Sequence, residues 1–110
     1  MIEPKSQIYT ILNEIDDVVV YQARPDVLES IPCITFYVGN NVPAYVVDGN
    51  TAYQDIEVII DIYGENSKES GSLLVTLETK MLDNGYRLVF CSDVQDEKYS
   101  HITTRFNLII

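Results

Sequence analysis

From Tyr53 to Gly64 the chain reads YQDIEVIIDIYG, and no other stretch restricts its fold as strongly. Ile56, Val58, Ile60 and Ile62 recur at every second position, with Asp55, Glu57, Asp61 and Tyr63 on the alternate positions. That two-residue period marks a strand with one apolar and one polar face. The residues that follow, ENSKESGSLLVTLETKMLDNG, change to a helical period. Leu73, Leu74, Leu77 and Met81 make one stripe, Asn66 or Ser67 can cap its start, and Gly85 after Asp83 and Asn84 supplies a stop. A strand with one dry face and a helix with one dry stripe bury those surfaces against each other or against similar ones.

The flanking segments extend the pattern. Pro4 suits a first helical position, and Ile8, Ile11, Leu12 and Ile15 follow at helical spacing, which predicts a helix over about 4–14. Val18–Tyr21 and Pro32–Val38 read as two neighbouring strands, the second able to begin on proline without losing a needed ladder bond. Gly39–Thr51 reads as an apolar loop around an Asp48-Gly49 turn. Tyr86–Cys91 and Tyr99–Ile110 read as the last two strands, joined by the polar connection SDVQDEK. The expected order is helix, strand, strand, strand, helix, strand, strand. It predicts one α+β domain over residues 1–110, with about five mostly antiparallel strands, two helices on one sheet face, and the other face wet or open to a neighbour.

Charge narrows the function. With 7 Lys and Arg against 17 Asp and Glu, the formal net charge is −10. Such a surface repels phosphate and so disfavours binding to nucleic acid and to anionic membranes. The acidity serves solubility, or a surface past which DNA slides, or one that imitates DNA. No apolar run reaches the roughly 18 residues of a membrane-spanning helix. The N-terminal MIEPKSQIYT lacks the pattern of a secretory signal, so a cytoplasmically made protein is expected. Cys33 and Cys91, in IPCITF and LVFCSD, read as small buried apolar residues rather than a disulfide or metal pair.

The usual catalytic constellations are missing. His101 is the only histidine, which excludes an ordinary Cys/His zinc cluster and leaves a triad few choices. Sharing a strand face with Thr103 and Arg105, it is expected to meet the acidic face of the third strand. Asp55, Glu57 and Asp61 share a strand face, and paired carboxylates can bind a cation or act as acid and base, yet a solvated acidic face or pairing with Arg87 or Arg105 accounts for them more simply. Asp93, Asp96 and Glu97 lack the order of a calcium loop and read as a solvated hairpin tip. Phosphate-binding, nucleophile-elbow and zinc-protease motifs do not occur. The expectation is a non-enzymatic protein without cofactor or metal.

Tyrosine offers another lead, since its apolar ring and polar tip suit protein interfaces. Tyr45 and Tyr53 flank the apolar loop, and with Val42, Pro43, Val46, Val47 and Asp48 they form the candidate contact to a subunit or partner. Asp55, Glu57 and Asp61 are the candidate acidic surface.

Taken together, IPCITFYV, AYVVDG, YQDIEVIIDIYG with its following helix, and the closing RFNLII resemble the tail terminator and tail completion proteins of long-tailed bacteriophages and prophages. The likeness covers nearly the whole chain. Family members show a Pro-aromatic-Ile-Thr strand, an Asp after the loop tyrosine, and an alternating strand ending Asp, Ile or Val, then Trp or Tyr. These correspond to Pro32–Phe36, Tyr45–Asp48 and Tyr53–Tyr63. Cys33 departs from the aromatic, and two valines separate Tyr45 from Asp48. The resemblance implies a homo-oligomeric ring, usually a hexamer, at the head-proximal end of the tail tube. Such a ring ends tube growth and joins the tail to the head connector. The implied partners are a second copy of the chain, the tube protein and the connector, and the implied location is the virion. The alternative is a small acidic inhibitor, a DNA mimic that binds a basic nucleic-acid-binding protein.

Overall fold

A computed structural model describes residues 4–28, 30–47 and 50–109, with the backbone alone for 42–47, 50–54 and 109. The element order is α1 (Pro4–Asn13), β1 (Val19–Gln22), β2 (Cys33–Val47), β3 (Asn50–Gly64), α2 (Ser67–Asp83), β4 (Arg87–Val94) and β5 (Ser100–Ile109). The fold is α+β, with two helices and one mixed sheet in the order β1-β2-β3-β5-β4. β1 runs parallel to β2, and the three other neighbouring pairs are antiparallel.

Register explains the core. Ile34, Ile62 and Ile102 stand side by side across β2, β3 and β5; Phe36, Ile60 and Thr104 form the next row, and Val38, Val58 and Phe106 the third. All point to the face that carries Ile8, Ile11 and Leu12 of α1 and Leu73, Leu77 and Met81 of α2. The strand period of two and the helix period of 3.6 thus meet in one apolar layer. Thr104, the polar member of these rows, donates its hydroxyl to the Ile60 carbonyl at 2.7 Å, so its burial leaves no unmet donor. Asn66 caps α2 by accepting from the Glu69 amide at 2.9 Å, and Gly85, at φ +90°, provides the left-handed residue beyond the helix. Ser70, buried on the first turn of α2, reaches Ser100 at the start of β5 with 2.7 Å between hydroxyl oxygens.

Three expectations require correction. First, residues 39–47 and 50–51 are not loop: β2 and β3 are each 15 residues long and stay paired from Cys33↔Tyr63 to Val47↔Asn50. Glycine, asparagine and proline suggest a loop, but here they fall among irregularities at Val38/Asn40, Pro43/Tyr45 and Tyr45/Val46 that break the strand period without ending the ladder. Gly39 is the unpaired residue of the first, where a Cβ would run into Ile59 Cδ1. The expected Asp48-Gly49 turn lies outside the described residues. Second, Cys91 is exposed, because β4 is an edge strand, whereas Cys33 is fully buried. Third, the face away from the helices is not uniformly open. The connection between β1 and β2 lays Leu28 and Ile31 beside Cys33, Tyr63 and Tyr99, making a second small apolar cluster at one end.

Candidate subunit interface

Three parts of the surface bear on function: the face of the sheet away from the helices, the far end of the β2–β3 hairpin, and the β4 edge.

On the sheet face, the three candidate acidic residues all lie on β3, and each has a partner on β5. Asp61 Oδ1 accepts from His101 Nε2 at 3.1 Å, Glu57 Oε1 lies 3.6 Å from Arg105 Nε, and Asp55 accepts from the Asn107 side-chain amide. His101 is also stacked on Tyr63 with ring centroids 4.3 Å apart, and the Arg24 guanidinium lies 5.1 Å from the other member of that stack, the Tyr63 ring. Burial, reinforced by the Asp61 charge, pushes the Tyr63 hydroxyl pKa up. The trio is therefore a paired strand face more than a bare negative surface. Arg24 had no sequence signal, since its link to Tyr63 depends on the path of the β1–β2 connection.

At the turn before β5, Asp96 Oδ1 accepts from the amides of Lys98 and Tyr99 at 2.9 and 3.0 Å. These two bonds hold its carboxyl below the usual range. An open cleft of about 450 Å³ beside this turn is lined by Ser70, Asp93, Asp96, Tyr99 and His101, among others. Among the described residues no group of three His, Cys, Asp or Glu side chains is arranged to hold a metal ion.

Further along the same face, Tyr37, Ile59, Arg105 and Phe90 occupy one lateral row across β2, β3, β5 and β4. Tyr37 is 50% and Phe90 49% exposed, with the Arg105 guanidinium 5.6 Å from the Phe90 ring. This aromatic row lies beyond the reach of the apolar cluster that covers the opposite end of the face.

The hairpin carries the predicted contact residues. Val42, Pro43, Tyr45, Val46 and Val47 are on β2 and Tyr53 is on β3, so the backbone brings all six onto one two-stranded arm. Their side chains, and Asp48 as a whole, lie outside the described residues. The ladder from β5 reaches only to Asp55↔Ile109, so Asn50–Gln54 has β2 on one side and, among the described residues, no strand on the other. The molecule is correspondingly long, 51 × 26 × 25 Å.

The β4 edge was missed as a surface. Among the described residues it has β5 on one side and no strand on the other, and it exposes Val89, Phe90, Cys91 and Val94. The signal was present in RLVFC, an apolar run without the alternation expected of a strand that has one wet face.

Compared with known proteins, the chain matches no family model and no curated protein.

Proposed function

We propose that the chain is a structural protein of a phage or prophage that assembles as a ring, caps the head-proximal end of the tail tube and joins it to the head. One observation supports this reading above the others: the β2–β3 hairpin runs past Ile109, the last described residue of β5, as an arm that is two-stranded among the described residues. Two strands alone are marginal in water, and an unpaired strand edge is a template for another chain. A protein that carries such an arm is suited to assembly with copies of itself. The tail-end role comes from the strand and turn pattern of Pro32–Phe36, Tyr45–Asp48 and Tyr53–Tyr63 that resembles tail terminators.

Capping requires no bond-breaking. Tube subunits add head to tail, an open-ended mode of association. A ring that matches the growing end, but offers no copy of that end on its far side, halts addition. The net charge of −10 suits a collar through which DNA passes without adhering.

The test is a phage or prophage carrying a stop codon early in this reading frame. The proposal expects tails of irregular length lacking heads, restored by supplying the protein. Normal-length tails joined to capsids in its absence would refute it.

A further inference from the structure

We propose that the free edge of β4 is the acceptor for the arm of a neighbouring copy, with Asn50–Gln54 of one chain adding as a strand beside Arg87–Val94 of the next. That the contacts close into a ring rests on the function proposed above; the strand pairing itself does not.

The two surfaces are complementary in what each lacks. β4 is the outermost strand of the sheet and exposes apolar side chains along its length. Asn50–Gln54 has no strand on its β5 side among the described residues. It also contains no proline, so every residue keeps an amide donor, whereas the β2 half of the arm includes Pro43. Strand addition would supply both edges with main-chain partners that no strand among the described residues provides.

Charge selects a second copy as the occupant. Copies of a chain at −10 repel one another, so an interface between them must lie where charge is sparse. Residues 39–54 contain a single charged residue, Asp48, and β4 contains one of each sign, Arg87 and Asp93. Because the two surfaces differ, each copy can give its arm to one neighbour and receive an arm from another, the heterologous arrangement from which rings are built.

The experiment uses the native Cys91 of β4 as a reporter. Single cysteines are introduced by Asn50→Cys, Thr51→Cys, Ala52→Cys, Tyr53→Cys and Gln54→Cys, and the full chain is oxidised under native conditions and resolved on non-reducing gels. The pairing predicts covalent ladders beyond dimer for at least one of the five variants, abolished by adding Cys91→Ser. Light scattering is run in parallel on wild type and on a variant with residues 44–53 replaced by a two-residue turn, its folding confirmed by thermal melting. Assemblies that persist in the shortened variant, or wild-type dimers linked through Cys91 alone, overturn the arm pairing while leaving the ring reading intact. Ladders from open chains without rings uphold the pairing and count against the ring. A monomeric wild type without ladders refutes the arm pairing.

Discussion

Asp61 and His101, forty residues apart in sequence, meet at 3.1 Å on the face of the sheet away from the helices, and Tyr63 stacks on the imidazole. The carboxylate can only accept, so His101 Nε2 carries the proton between them. The pair couples β3 to β5 at the end of the face covered by the β1–β2 connection. Both side chains are largely shielded from water, at 11% and 17% exposure, so the bond is screened less than a surface ion pair.

Removing the acceptor therefore has a measurable cost. Asp61→Ala is expected to destabilise the fold by about 1.5–3 kcal/mol, the usual range for a hydrogen bond to a charged group. Glu57→Ala, whose partner Arg105 is half exposed, is expected to cost under about 0.5 kcal/mol. Urea unfolding of the two variants side by side checks the ranking.

Tyr86 presents the opposite case. Its ring is fully buried, and its hydroxyl finds no hydrogen-bond partner among the described residues. Burial alone pushes its pKa up. Tyr86→Phe removes an unmet polar group and keeps the packing, so stability is expected to stay level or rise by about 1 kcal/mol, as measured by thermal or urea unfolding.

The start of α2 depends on its cap. Asn66→Ala is expected to lower stability by about 1 kcal/mol, and Asn66→Asp to retain most of it, because the side-chain oxygen that accepts from Glu69 is kept. Circular dichroism melts of the pair separate the lost acceptor from any general effect of substitution.

How much of this could be read from the sequence depends on where period and propensity agreed. In Ile56–Ile62 and Leu73–Met81 they coincide, and those segments fold as the pattern implies. In residues 39–47 propensity pointed to a loop while the ladder continued, since irregular pairing absorbs Gly39 and Pro43 and hides the alternation. The pairing of His101 and Arg105 with the acidic face followed from strand phase alone. The placement of Arg24 over Tyr63 and the exposure of Cys91 depended on which connection crosses the face and which strand lies at the edge. Local sequence carries neither.

The two thiols give a pH-dependent consequence. Burial pushes the Cys33 pKa up to about 11, against 9.0 in an unstructured chain. Between these values the unfolded chain releases a proton that the folded chain keeps, so stability falls as pH rises from about 9 towards 11. Cys33→Ala is expected to flatten that part of the profile in urea titrations at stepped pH. In dilute native protein, alkylation followed by peptide mass spectrometry is expected to label exposed Cys91 and leave Cys33 unmodified until unfolding.

Acid acts through Asp96. Its folded carboxyl is held below the usual range by two backbone amides, so its contribution is present above the unfolded value of about 4 and is lost as pH falls through the lower folded value. Asp96→Asn is expected to leave a shallower acid limb, read by fluorescence-monitored unfolding below about pH 4.

Negative-stain electron microscopy of the purified full chain over a range of concentrations, with native mass spectrometry on the same samples, bears most directly on whether this protein works as an assembled collar. Closed rings with a central opening and one dominant mass are expected, six chains being the number implied by the resemblance to tail terminators. Particles that stay monomeric at every concentration, and when mixed with isolated tail tubes, would contradict it.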